Sequence, residues 1–392
     1  MPTIKTKKLA SVLKKANTIS KAKSKRKDPV WAGPCDPSNR GGITQSLLCQ
    51  FLVCRERFRL RVVEGLRSAD SFNHRLEYGQ MWHTCEEFLA KHHAAIWKQG
   101  ENPWDPALRF YCQNLCKQYR LQQEQIQHWY NVCKVQFPSY VKYWAKHPDV
   151  KARNPLFQEE VFNVPYLLPS GRTVYLRGKF DSVDLIGKGK SARIYLQENK
   201  TKGDIDEVQL KRQLQFDLQT MLYLTALWKQ YCPTGKGGST LGAPIFGICY
   251  NVVRRPLSGG KGSIVQRKGN GKSTKPETNE EFYKRLGEVI EEQPELFFMR
   301  WKVEVLPSDI ERFKREFLNP VLEQLCDWWA VVGGNKTQSQ FDTEVNGGIH
   351  WRMPYGVYSP LLDGGSTEID EYLTSGSTLG LEKASELFPE LR

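Results

Sequence analysis

The feature that most constrains the fold is a run of alternating polar and apolar residues between positions 157 and 200. Two turn-forming segments interrupt it, "PSG" and "GKGK". Side chains two apart on a strand point to the same side of a sheet, and short glycine-containing loops join antiparallel neighbours. The pattern therefore predicts three antiparallel strands, over about residues 157–168, 172–186 and 192–200.

The segments on either side of these strands predict helices and one further strand. Apolar residues recur at helical spacing through the part before the strands, and "DEVQLKRQLQFDLQTMLYLTALWKQY" predicts one long helix after them. A short buried strand follows in "APIFGICYNVVRR". The order αβββαβ predicts an α/β fold, in which a mixed sheet is packed against helices and preceded by a helical addition.

Changes in composition divide the chain into six expected regions. We expect a basic disordered tail over 1–28, a helical region over 29–150, a core over 151–255, a mobile basic glycine-rich loop over 256–280, a helical region over 281–345 and an irregular acidic segment over 346–392.

The net charge of +14 is concentrated at the start of the chain. The first 28 residues contain ten basic side chains and a single acidic one, Asp28. Such a run is most often a solvated tail, and it attracts phosphate backbones without sequence preference. The charge therefore favours a nucleic-acid partner.

Hydropathy and cysteine usage indicate an intracellular protein. No run of about 18 apolar residues is present, and the first residues lack the apolar segment of a secretory signal, so we expect no membrane association and a cytoplasmic location. The ten cysteines form no CxxC pair. We expect reduced thiols rather than a disulfide framework or a zinc site.

Acidic residues lie at the ends of the three predicted strands. Asp181 is on the second strand, Glu198 is on the third, and Glu159 or its neighbour Glu160 is on the first. Two converging carboxylates repel each other, and a bound divalent cation such as Mg²⁺ or Mn²⁺ removes that conflict. Lys200 could then orient a water molecule or stabilise charge on a phosphate. Taken singly, each residue also fits an exposed ion pair or a solvent-facing position.

Two further groups are candidates for contact with nucleic acid. Gln215, Gln219 and Tyr223 would share one face of the long helix, beside a leucine stripe that would hold this helix to the sheet. Arg254 and Arg255 follow the last strand. They could bind phosphates, but simple solvated charges fit as well.

These residues fall into four short motifs whose order along the chain resembles the RecB-like branch of the PD-(D/E)XK nuclease superfamily. That branch has a helical G-x-x-x-H, then G-x-x-D, (D/E)-x-K and Q-x-x-x-Y. The matching segments here are Gly79 to His83, Gly178 to Asp181, Glu198-Asn199-Lys200, and Gln219 to Tyr223.

The resemblance implies roles for individual residues. Asp181 and Glu198 would bind the metal with the backbone carbonyl of Asn199, and His83 would approach the metal from the helical side. Lys200 would be the catalytic lysine, Glu159 the acid of the first strand, and Gln219 and Tyr223 supports for the site or for DNA.

The resemblance also implies a metal-dependent DNA nuclease, with an exonuclease of recombination, repair or phage DNA processing favoured. The strand "GICYNVVRRP" is similar to phage-type members, which would act in the host cytoplasm beside a separate helicase or recombination protein. We expect no iron–sulfur cluster, because Cys326 is the only cysteine near the end of the chain.

Two alternatives stay open at this point. A nucleic-acid-binding or assembly protein on a nuclease-like fold is one, and a nuclease acting on RNA is the other. The oligomeric state is open as well.

Overall fold

A computed structural model gives the fold of most of the chain. It describes residues 29–53, 55–68, 72–92, 102–232, 239–257, 263–269, 275–332, 381–384, 386–388 and 391. The predicted basic tail, Cys54 and most of the predicted acidic segment lie outside the described residues.

A five-stranded mixed sheet forms the centre of the structure. The three predicted strands are observed as successive antiparallel neighbours, and the fourth runs parallel to the third. The predicted α/β class with a mixed sheet is therefore confirmed. In spatial order the strands are β2 (Arg153–Leu167), β3 (Thr173–Ile186), β4 (Arg193–Lys202), β5 (Ile245–Arg254) and β6 (Phe298–Glu304), while β1 (Leu66–Ser68) lies in a separate small sheet.

Helices cover the sheet and form a second packed cluster beside it. The α-helices among the described residues are α1 (Gln45–Val53), α2 (Arg55–Phe58), α3 (His74–Lys91), α4 (Asp105–Gln118), α5 (Gln123–Trp144), α6 (Pro148–Lys151), α7 (Glu207–Leu214), α8 (Leu218–Tyr231), α9 (Asn279–Glu292), α10 (Pro307–Phe313) and α11 (Asn319–Val332).

Two hydrophobic cores correspond to these two layers. The first joins the sheet to α1, α7, α8 and α11, and the predicted leucine stripe contributes to it through Leu210, Leu214 and Leu222. The second joins α3, α4, α5 and α9 around buried aromatic side chains, which include Trp82 and Phe137. Helix α3 belongs to the second core and also contacts β2 and β4. It therefore connects the helical cluster to the sheet.

The prediction of one long helix over 206–231 is wrong. The chain forms α7 and α8 instead, and between them Phe216 has a positive φ of 58°. A continuous helix would use the carbonyl of Leu214 for its own ladder, but the Tyr250 hydroxyl of β5 donates a hydrogen bond to that carbonyl. A hydrogen bond from β5 to the last residue of α7 therefore accompanies the break between α7 and α8.

The region 281–345 is not wholly helical, because it contains β6. Met299, Trp301 and Val303 pack against the core, and polar residues alternate with them. That period of two is a strand signal that the helical interpretation overlooked.

Two short strands also depart from the expected pattern. β1 lies inside the region predicted as all-helical, and β7 (Leu381–Lys383) lies inside the region predicted as irregular. They pair with each other in antiparallel fashion over more than 300 residues of sequence separation. No helix in the described part of the chain is both long and apolar enough to cross a membrane.

Candidate active site

A cavity of about 390 Å³ lies where α3, the three antiparallel strands and α8 meet. Eight of the candidate site residues from the sequence line this cavity: His83, Glu159, Asp181, Glu198, Asn199, Lys200, Gln219 and Tyr223.

Asp181 occupies the point where β3 and β4 separate. The paired register of these strands ends at Ser182 and Gln197, so Asp181 and Glu198 directly follow the last pair. The Asp181 carboxylate instead accepts a 2.8 Å hydrogen bond from the backbone N–H of Asn199. Burial, together with the charge of Glu159, raises the pKa of Asp181 against the opposing effect of His83.

Glu159 completes a cluster of possible metal ligands. It lies opposite Asp181, between the pairs Gln158–Ser182 and Glu160–Phe180, and it has a positive φ of 52°. Its carboxylate contacts Nδ1 of His83 at 3.1 Å. Ligand atoms of His83, Glu159 and Asp181 all lie within 4.8 Å of one another. Strained backbone of this kind costs about 1–3 kcal/mol and is concentrated at functional sites.

Glu198, Lys200 and Gln219 form a closed triangle of hydrogen bonds. Lys200 Nζ donates to Glu198 Oε1 at 2.7 Å and to Gln219 Oε1 at 2.6 Å. The Gln219 amide nitrogen donates to the same Glu198 oxygen at 2.7 Å. The other oxygen, Oε2, is buried and has no hydrogen-bond partner among the described residues.

The pKa values of this site reflect burial and mutual charge. Burial, and then the charge of Asp181, raises the pKa of Glu198 to about 7. Burial alone would lower the pKa of Lys200, but the charge and hydrogen bond of Glu198 raise it above its ordinary value. Burial would also lower the pKa of His83, yet Asp181 and Glu159 raise it to about 9.

The donor set fits a divalent cation. Three carboxylates and one imidazole converge on one cavity, and carboxylate oxygens are preferred ligands of Mg²⁺ and Mn²⁺. A buried carboxylate oxygen with no partner is costly, and the Oε2 atom of Glu198 is such an atom. Coordination of a cation would remove this cost.

Gly178, the first residue of the G-x-x-D motif, permits close packing behind the site. A Cβ atom at this position would lie 2.6 Å from Phe162 and 2.8 Å from Tyr223. The Tyr223 ring packs edge-on against the rings of Phe162 and Phe180. Only a residue without a Cβ atom therefore leaves room for the Tyr223 ring in this position.

We expect Gly178→Ala to reduce the free energy of unfolding by about 1–3 kcal/mol, because the added methyl group must displace two packed rings. Urea denaturation measures this change. Gly79→Ala is the matched control, since a Cβ atom there meets only the Thr201 hydroxyl at 3.4 Å. Equal stabilities of the two variants would contradict the packing role of Gly178.

The pKa values predict that the metal-free protein becomes less stable as the pH rises. Glu198 has a folded pKa of about 7, above its ordinary value of 4.5, so the folded state retains a proton that the unfolded chain loses between these pH values. His83 has a folded pKa of about 9, above 6.5, so its stabilisation is lost as the pH rises through that interval. Both shifts therefore lower the free energy of unfolding as the pH rises.

We therefore expect the melting temperature in EDTA to fall between pH 5 and pH 9, the interval these two pKa values define. Mn²⁺ should reduce the fall, because metal binding requires deprotonated ligands. Differential scanning calorimetry measures both curves, and Glu198→Gln should lack the lower part of the fall. A melting temperature that rises over this interval in EDTA would contradict the assignment.

Three residues predicted to contact DNA lie outside the cavity. Gln215 directly follows α7 and is exposed, because the helix break separates it from the face that carries Gln219 and Tyr223. Arg254 is only 1% exposed and lies over the ring of Phe297, and Arg255 donates to the carbonyl of Thr201. Contact of these residues with DNA stays a prediction.

The structure adds residues that the motifs did not include. Lys179 donates to the Glu159 carboxylate at 2.6 Å, and its place between Gly178 and Asp181 could have indicated it. Gln80 likewise lies within the G-x-x-x-H segment. The remaining lining residues are outside the motifs, and no local pattern indicates them. They are Thr44, Gln45, Ser46, Leu76, Phe388 and Leu391.

Fold and site together define an α/β protein with a carboxylate-rich centre suited to a divalent cation. Residues 43–327 match the family model of the PD-(D/E)XK nuclease superfamily, and the chain belongs to this superfamily. Its members are nucleases that use divalent metals, so membership implies nuclease activity with DNA as substrate. A search of curated proteins finds no match.

Proposed function

We propose that the protein is a metal-dependent deoxyribonuclease that hydrolyses phosphodiester bonds with Mg²⁺ or Mn²⁺. The observation that carries this proposal is the Oε2 atom of Glu198, which no described residue contacts by a hydrogen bond. It is buried in a cavity that also contains Asp181 and Lys200. Asp181, Glu198, the Asn199 carbonyl and His83 would hold the cation. Glu159 supports the site through His83.

The chemistry supplied by a bound Mg²⁺ or Mn²⁺ is polarisation of a phosphoryl oxygen and activation of a water molecule. Lys200 supplies a positive charge next to the phosphate. Its ammonium has three N–H donors, and Glu198 and Gln219 use two of them. Among the described residues none takes the third, which can therefore donate to a phosphate oxygen. Gln219 holds both partners in position through its amide, since it accepts from Lys200 and donates to Glu198.

The order of the four motifs supports an exonuclease of the RecB-like branch more than an endonuclease. On this resemblance we propose a role in recombination, repair or phage DNA processing in the cytoplasm. A helicase or recombination protein encoded separately would be a natural partner. These finer assignments rest on motif order alone.

The test is a cleavage assay on end-labelled linear DNA and on closed circular DNA. Each substrate is incubated with Mg²⁺, Mn²⁺ or EDTA. We expect metal-dependent shortening of linear DNA from its ends and no cutting of circles. Cutting of circles would replace the exonuclease assignment with an endonuclease.

The same assay separates the alternatives. DNA binding that is equal with metal and with EDTA, without any product, would overturn the nuclease proposal and favour a nucleic-acid-binding protein. A labelled RNA of the same sequence distinguishes a ribonuclease, which would cleave the RNA and leave the DNA intact.

A further inference from the structure

The residue between Glu198 and Lys200 faces away from the two that flank it. Glu198 and Lys200 contact Gln219 on α8, whereas the side chain of Asn199 lies on the other side of β4. Asn199 is 5% exposed. Its backbone N–H holds Asp181, so the orientation of Asn199 affects the metal site directly.

A chain of buried hydrogen bonds begins at this side chain. The Asn251 amide nitrogen on β5 donates to Asn199 Oδ1 at 2.8 Å and to the Tyr140 hydroxyl on α5, also at 2.8 Å. The same Asn251 nitrogen donates to Oε1 of Glu86 on α3 at 3.4 Å. The Asn251 amide nitrogen is therefore the common donor that joins β4 to α3 and α5.

Glu86 connects this chain to the helix that carries His83. The two residues are three apart on α3 and therefore lie on neighbouring positions of its surface. Glu86 is completely buried, and one oxygen lies 3.9 Å from the guanidinium of Arg153. His83 contacts Glu159 and Asp181, while Glu86 accepts a hydrogen bond from Asn251 of the sheet. Helix α3 is thus fixed at two points, one turn apart.

We propose that Glu86, Tyr140 and Asn251 are positioning residues for the metal site. They set the distance between α3, which provides His83, and β4, which provides Glu198 and Asn199. This inference rests on the proposed function, because it assumes that these ligands bind a divalent cation. The residues touch neither the cation nor the substrate.

The expected consequence of breaking the chain is weaker metal binding. Groups that orient metal ligands through hydrogen bonds typically change metal affinity by about 10–100-fold when they are removed. Tyr140→Phe removes the hydroxyl that accepts from Asn251 and retains the ring. Tyr166→Phe is a matched control, because both tyrosines are 4% exposed and the Tyr166 hydroxyl donates to Asn319, outside the cavity.

The experiment measures Mn²⁺ binding by isothermal titration calorimetry with the full-length chain and no DNA. We expect Tyr140→Phe to raise the Kd by about tenfold or more. Tyr166→Phe should leave the Kd within about twofold of wild type, because the bond it removes orients no metal ligand. Glu86→Gln is a second variant with the same expected effect, in case the first does not fold. Melting temperatures test whether the two tyrosine variants lose similar stability.

Equal Kd values for Tyr140→Phe and Tyr166→Phe, in a wild-type protein that binds Mn²⁺ and cuts DNA, would overturn this inference and leave the proposed function standing. Wild type that binds Mn²⁺ but cuts no DNA would overturn the function, while a Kd raised by Tyr140→Phe would still support the positioning role. Wild type that binds no Mn²⁺ would overturn both.

Discussion

Replacement of Lys200 by alanine is expected to lower kcat for DNA cleavage by about 10²–10³-fold, as removal of a donor that stabilises transition-state charge typically does. The Lys200 ammonium is held by two short hydrogen bonds at the wall of the cavity. Alanine removes the charge and the remaining donor for a phosphate oxygen. The lost ammonium would stabilise negative charge that develops on the phosphate during the reaction. KM for DNA should therefore change much less than kcat.

A cleavage assay with saturating Mg²⁺ and end-labelled linear DNA measures the loss. Lys190→Ala is the matched control, because Lys190 is exposed in the turn between β3 and β4 and is not part of the cavity lining. Circular dichroism of both variants checks the fold. A Lys200→Ala protein with nearly full kcat would remove the lysine from the proposed chemistry.

The largest effect on stability is expected from Arg153→Met, at about 3–5 kcal/mol of unfolding free energy. Arg153 donates to Asp184 at 2.7 Å and to Ser182 at 3.1 Å, and it also lies beside Glu86. Asp184 and Glu86 are both completely buried. Methionine fills similar space but removes the guanidinium that donates to Asp184. The loss of one partner of a buried ion pair leaves the other charge buried and poorly compensated, and this is strongly destabilising.

Urea denaturation followed by fluorescence measures this loss. Arg109→Met is the matched control, since Arg109 pairs with Asp105 on an exposed face of α4 and its side chain is 58% exposed. We expect no resolvable change in that variant, because exposed ion pairs contribute little. If the two arginine variants unfold at the same urea concentration, the buried cluster does not contribute the stability inferred for it.

The sheet could be predicted from the sequence because its signal is local. Alternation with period two, interrupted by glycine-containing turns, predicted all three antiparallel strands, and the observed bounds differ from the predicted ones by a few residues. The motif residues are local as well, because Glu198 and Lys200 share one side of β4 by alternation alone. Their convergence with Asp181 followed from pairing of adjacent strands.

Other features depended on contacts between distant segments. The break at Phe216 accompanies a hydrogen bond from Tyr250 to the end of α7, and the pairing of β1 with β7 joins segments far apart in the chain. β6 had a recognisable alternating pattern, but its place at the sheet edge depends on β5.

The sequence by itself determined the class of fold, the family motifs and the eight candidate residues that line the cavity. Only the tertiary structure decided which groups hold those residues in place: Lys179 on Glu159, Gln219 between Glu198 and Lys200, and the buried chain from Asn199 to Glu86. The physical reason is that a hydrogen bond between buried side chains forms only when donor and acceptor are placed to within a few tenths of an ångström. Such distances follow from the packing of whole helices on a sheet, which no local pattern of residues specifies.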